Sequence, residues 1–178
     1  MKKLIVILIV FSGWSICTAQ SNYILWSFET GDRILSHPVV ENDIVYFGSN
    51  DNIVYAVEAN TGNEIWNVET GHNVQSSFAL NGDLLYFESG NNCYALNKIT
   101  GLEVWSFISN DPDGAEKLDP WDYHHASPVI FENSVYFGCG NGRMYGFDLN
   151  NGDLTLQYEA IDSAAIRSTP AIDNGIIY

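Results

Sequence analysis

The sequence predicts an all-β chain: a β-propeller of four-stranded antiparallel blades, incomplete, with about three full blades plus flanking strands. Three observations carry this. One plan recurs from Ser36, Ser76 and Ser127, and a partial copy opens at Ser168. The period is near 40 residues and each copy consists of short apolar runs split by Gly, Asn and Asp turns, the mark of a radial β-repeat. The runs are apolar at odd and even positions alike, as in Ile44-Val45-Tyr46-Phe47. A sheet with one wet face would alternate, whereas a sheet flanked on both sides by neighbours would not.

Residues 1–19 read as a signal peptide. Lys2 and Lys3 form a positive start, Leu4 to Phe11 an apolar run, and Cys17-Thr18-Ala19 a small-residue cleavage site before Gln20. The run is shorter than the roughly 20 residues an anchor needs, and no later stretch is apolar enough to span, so no transmembrane segment is expected. Acylation at Cys17 would need a lipobox, and the bulky Ile16 fits that poorly. The chain is thus expected to be exported, to the periplasm or the extracellular side, with cell-surface association as one variant.

Residues 20–178 form the repeat region, with blade cores at 36–70, 76–108 and 127–160 and a partial one at 168–178. In the first copy, strand A is expected at about 38–40, B at 44–49, C at 53–58 and D at 64–69. Turns at Glu41-Asn42-Asp43, Asn50-Asp51-Asn52 and Asn60-Thr61-Gly62 separate them, with residue types that tolerate positive φ. Pro38, Pro128 and Pro170 open strand A, where a missing N–H is tolerated. Trp66 and Trp105 on strand D are expected to fill the widening gap between blade rims. Trp26 to Gly31 mirrors Trp66 to Gly71, so a strand D with no blade of its own precedes the first copy. Three blades fall short of the number that closes a ring, so the chain reads as an N-terminal piece of a longer propeller, an open array being the alternative.

Removal of the leader would leave five basic residues (Arg33, Lys98, Lys117, Arg143 and Arg167) against 22 acidic ones. Such a surface repels phosphate backbones, so nucleic acid is not an expected partner. Cys93 and Cys139 would remain. Export permits a disulfide, but both are expected near turns where adjacent blades splay apart, and they read as half-buried inert thiols.

Ala56-Val-Glu-Ala-Asn-Thr-Gly62-Asn-Glu-Ile-Trp66 resembles the tryptophan-docking repeat of pyrroloquinoline-quinone-type propellers. Ala95 to Trp105 matches again, and Gly146 to Leu156 is a decayed copy with Gly146, Asn151 and Leu156 in place of Ala, Thr and Trp. The resemblance covers nearly all of residues 22–178. It implies the fold strongly and two functions weakly. One is a non-catalytic exported binding or scaffold module, as in the barrel-assembly lipoprotein branch. The other is the N-terminal part of a quinone-dependent (PQQ) dehydrogenase oxidising alcohols or sugars, with calcium. That enzyme branch carries a vicinal Cys-Cys pair absent here, and no residue here matches its catalytic Asp or calcium ligands one for one. The scaffold reading leads, with no catalytic residue, no metal ligand and no cofactor expected; PQQ and calcium belong only to the alternative.

Antiparallel parity puts D-to-A links and B-to-C turns on one face. That face collects an insert at about 107–124, rich in Asp, Pro and aromatic residues. Binding residues favour such loops. The candidates for a protein partner or small polar ligand are Asp111, Asp113, Glu116, Asp122, His124, His125, Arg143 and Arg167. Asp111, Asp113 and Glu116 could offer oxygens to calcium, but Ser109 and Pro120 break the EF-hand template and a solvated turn is preferred. His124 and His125 point opposite ways on an extended segment. His125 shares its register with Leu35, Gln75 and Arg167 just before strand A, at the expected channel mouth, where His125 and Arg167 would meet a polar or anionic ligand.

Overall fold

The computed structural model describes residues 24–109 and 125–178, together with the backbone of Lys2–Ile5. All regular structure among them is β except one 3-10 turn at Ile161–Ser163. No helix among them is long and apolar enough to cross a membrane.

Lys2–Ile5 (β1) runs antiparallel to Ser27–Thr30 (β2). The rest of the segment read as a leader lies outside the described residues. Blade 1 follows as Val39–Glu41 (β3), Ile44–Gly48 (β4), Ile53–Glu58 (β5) and Glu64–Glu69 (β6). Blade 2 is Ala79–Asn81 (β7), Leu84–Ser89 (β8), Asn92–Asn97 (β9) and Glu103–Phe107 (β10). Blade 3 is Val129–Phe131 (β11), Ser134–Gly138 (β12), Arg143–Asp148 (β13) and Leu154–Glu159 (β14). Each is a four-stranded antiparallel meander in sequence order. A hairpin of Ile172–Asp173 (β15) and Ile176–Ile177 (β16) opens the next unit.

The core lies between blades. Tyr46, Val54, Ala56 and Trp66 of blade 1 pack against Leu85, Phe87, Tyr94 and Leu96 of blade 2. Tyr86, Cys93, Ala95 and Trp105 pack in turn against Val135, Phe137, Cys139, Tyr145 and Phe147 of blade 3. Alternate residues of one strand therefore serve different interfaces: Tyr46 faces forward and Phe47 backward into the β2 side. This is why the strands are apolar on both faces, and each fully buried side chain contributes roughly 1.5–3 kcal/mol.

Strand D carries the seam. Trp26, Trp66 and Trp105 donate their indole N–H to the carbonyls of Ala59, Lys98 and Leu149 in the following blade, at 2.8, 3.0 and 3.0 Å. Each indole lies on the glycine of that blade's C-to-D turn: a Cβ on Gly62, Gly101 or Gly152 would come within 2.6, 2.9 or 2.7 Å of it. These glycines have φ of 74°, 72° and 73°, a region that also disfavours other residues. One extra residue stands next to each seam position, at Ile65, Val104 and Thr155, where the β5–β6, β9–β10 and β13–β14 registers shift. Such a bulge re-aims the neighbouring side chain and leaves its own outside.

At the entries to the A strands, a hydroxyl chain links the blades. The His37 N–H donates to Ser77 Oγ (3.3 Å), Ser77 N–H to Ser127 Oγ (3.3 Å), and Ser127 N–H to Thr169 Oγ1 (3.0 Å).

Candidate functional site

The loop face forms as parity requires. Asn50 N–H donates to the Arg33 carbonyl (2.8 Å) and Val74 N–H to the Ser49 carbonyl (3.1 Å), so a B-to-C turn is held between the links entering and leaving its blade. Gln75 Nε2 adds a bond to Asn50 Oδ1 at 3.0 Å. The 107–124 insert is rooted on this face: Ser109 N–H donates to Asn92 Oδ1 (3.0 Å), and Asn141 Nδ2 donates to Ser109 Oγ (3.2 Å). Asp111, Asp113, Glu116, Asp122 and His124 themselves lie outside the described residues. Arg143 is anchored in its turn through its N–H to Asn141 Oδ1 (3.1 Å), and its Nε stands 3.7 Å from Glu159 Oε2. Arg167 is exposed.

His125 sits before strand A, but its side chain is only 7% exposed and lies beside Glu88, with Nδ1 4.0 Å from Oε2. Glu88 was not among the residues singled out from the sequence. Its counterparts in blades 1 and 3 are Gly48 and Gly138, and both are glycine for lack of space. A Cβ on Gly48 would come within 2.2 Å of Val74 Cγ1, and one on Gly138 within 2.6 Å of Ile166 Cγ2, each on the segment entering the next blade. Blade 2 alone puts a side chain there. Comparing the copies position by position would have exposed it.

Glu88 is one of several departures from the repeat that meet at the blade 2–blade 3 junction. Cys93, opposite Glu88 in the β8–β9 ladder, stands where blade 1 has Val54 opposite Gly48. Cys139 follows Gly138, where blades 1 and 2 have Ser49 and Ser89. Cys93 faces forward with Ala95 and Cys139 backward with Phe137, into one shared cluster. The structure therefore corrects two expectations for the cysteines. Both are buried at 0% exposure rather than half-buried, and the blades meet there rather than splay. Both thiols are free, and each influences the other's titration.

The electrostatics of this junction are those of a dry pocket. Burial pushes the Glu88 carboxyl above the usual carboxylate range, with His125 and then the Cys139 thiol pulling partly back. Neither carboxyl oxygen has a close hydrogen bond among the described residues. Burial likewise raises Cys93. Cys139 is raised well above a normal thiol, first by its interaction with Cys93 and then by burial. A nucleophilic cysteine needs a thiolate and access, and these have neither. No group of three metal-ligating side chains occurs among the described residues.

The family described as outer membrane protein assembly factor BamB matches residues 13–178. Among solved structures, BamB from Moraxella catarrhalis is similar with a TM-score of 0.66 and 18% identity, over 85% of this chain and 44% of that one. The computationally designed Ika4 protein gives 0.64 at 14% identity, over 84% and 85%. Quinohemoprotein alcohol dehydrogenase from Comamonas testosteroni gives 0.57 at 20% identity, over 72% and 21%. At these identities the structural likeness speaks for the propeller fold. The chain thus spans less than half the length of the BamB it resembles. None of the curated proteins compared with it matches significantly.

Proposed function

The chain belongs to the family of the outer membrane protein assembly factor BamB, and on that premise we propose that it is part of an exported, non-catalytic propeller that binds a protein partner. The binding surface in this reading is the face of B-to-C turns and D-to-A links. It includes Asn91, Arg143 and Arg167, with His125 at its base, and the insert bearing Asp111, Asp113, Glu116, Asp122 and His124.

The observation that carries the reading is the family match across residues 13–178. Two features support it. The titratable groups that depart from the repeat, Glu88, Cys93 and Cys139, are sealed from solvent at the blade 2–blade 3 junction. The longest loop is rooted at that same junction through Asn92 and Asn141. A rigid scaffold carrying a variable loop is a common way to build a binding surface. The periplasm, next to an outer membrane, is the compartment this reading calls for.

The test is photocrosslinking in the source cells, with a photoreactive residue placed singly at Asn91, Arg143 or Arg167 of the full-length protein and, as a control, at Leu102 on the outer rim. Adducts with an outer-membrane assembly component from the first three positions and none from Leu102 support the proposal. Adducts only from the rim refute the choice of face. The rival activity, oxidation of alcohols or sugars with PQQ and calcium, is tested separately by dye reduction with the reconstituted full-length protein. A quinone-dependent signal would defeat the scaffold reading.

A further inference from the structure

We propose that Cys93 and Cys139 form a disulfide that staples blade 2 to blade 3 when the protein matures in an oxidising compartment. Three observations bear on it. Strand parity turns the two side chains toward each other: Cys93 shares the forward-facing side of β9 with Ala95, and Cys139 shares the backward-facing side with Phe137, in one packed cluster. Both thiols are fully buried in that cluster, close enough for each to shift the other's proton affinity. Neither cysteine is the repeat's own residue, since Val54 stands at the first position in blade 1 and Ser49 and Ser89 at the second in blades 1 and 2.

The comparison with serine is informative. Ser49 and Ser89 donate to carbonyls of the link entering their own blade, Arg33 at 3.3 Å and His72 at 2.8 Å. Cys139 gives up a hydroxyl bond of that kind and faces a partner in the neighbouring blade. Two cysteines at one dry interface, in a chain with few others, suit a covalent link between elements that share no backbone pairing.

The oxidant is a small-molecule or protein disulfide, with oxidised glutathione as the probe. One cysteine thiolate attacks a glutathione sulfur and forms a mixed disulfide, releasing one glutathione thiolate. The second cysteine thiolate displaces the other. Both cysteine protons end on the two glutathiones, which take up the two electrons. Because both sulfurs are fully buried once folded, the exchange belongs to the folding stage, while the blades are still apart.

The proposal rests on the exported reading for its setting, but its test does not. Full-length protein carrying Cys17→Ser is unfolded with reductant, refolded in a glutathione redox buffer, quenched with acid and alkylated in denaturant. The expected product is a monomer in which Cys93 and Cys139 carry no alkyl group and the peptide bearing Cys93 is joined to that bearing Cys139. Reduction should raise its unfolding equilibrium constant roughly 30- to 1000-fold, as for a bridge closing a loop of this size. Recovery of the native far-UV spectrum with both cysteines alkylated would overturn the proposal, as would a disulfide-linked dimer. If the chain does not refold, protein isolated from exporting cells is alkylated in denaturant and its peptides are mapped: alkylated Cys93 and Cys139 overturn the proposal, and unalkylated, joined ones support it.

Discussion

The indole of Trp66 lies flat against Gly101 of the next blade and donates to the Lys98 carbonyl 3.0 Å away. A methyl group at Gly101 would come within 2.9 Å of the ring, on a residue whose φ is +72°. Gly82, with φ +54°, has nothing within 4 Å of the same added atom. Gly101→Ala should therefore cost about 2–4 kcal/mol, combining overpacking with backbone strain, and Gly82→Ala about 1 kcal/mol from strain alone. Urea unfolding of both variants checks this. Equal losses would mean that the indole contact adds nothing.

Trp105 is 7% exposed and packs on Tyr86 and Phe147 at centroid distances of 5.9 and 5.4 Å. Trp105→Ala should destabilise the protein by about 3–5 kcal/mol. In the decayed copy, Leu156 stands at this seam position and is only partly buried, so Leu156→Ala should cost clearly less. Thermal unfolding of the pair gives the comparison.

Glu88 gives a pH signature. Burial raises its folded pKa above the ordinary carboxylate value of 4.5. Below that value both states are protonated and the group is silent. As pH rises past it, the unfolded chain ionises first, so stability falls until the folded carboxyl also titrates. Glu88→Gln removes this loss. The variant should gain on the wild type as pH climbs above about 4.5, by at most about 1.4 kcal/mol per pH unit. Denaturation at pH 4 and pH 7 measures it. A difference that is constant with pH would exclude the burial effect.

At the equivalent site of blade 1, Gly48 has no room: an added Cβ would sit 2.2 Å from Val74 Cγ1. Gly48→Ala should cost about 1–3 kcal/mol through overpacking. Val74→Ala removes the methyl group but leaves its Cβ at 2.6 Å and its carbonyl at 2.8 Å, so it should relieve the clash only in part, and the double variant should lose modestly less than the sum of the single losses. A double-mutant cycle reads the coupling.

The blades were legible because two-sided apolar runs and Asn/Gly turns are local signals. The observed β5 and β6 run Ile53–Glu58 and Glu64–Glu69, as the sequence implied. The tryptophan-to-glycine docking was implied only through the resemblance, because a contact between copies has no local trace. The cysteines were misjudged for a related reason. Which blade a side chain faces depends on strand parity through a register that the turns set, and a one-residue slip reverses it. Glu88 left a readable mark, a carboxylate where the other copies have glycine, yet its meaning depends on what enters the next blade. The insert gave composition without geometry, and Asp111, Asp113 and Glu116 remain candidates of the binding proposal.

The tryptophan seam also bears on how this protein can be cut. Because each indole is satisfied by a carbonyl and a glycine one repeat further on, the cooperative folding unit is offset from the repeat visible in the sequence. An excised segment ending just after Trp66 would strand that ring in water, whereas one carried through Gly101 would cover it. Fragments for expression, or chimaeras swapping blades between relatives, are best joined after the glycine.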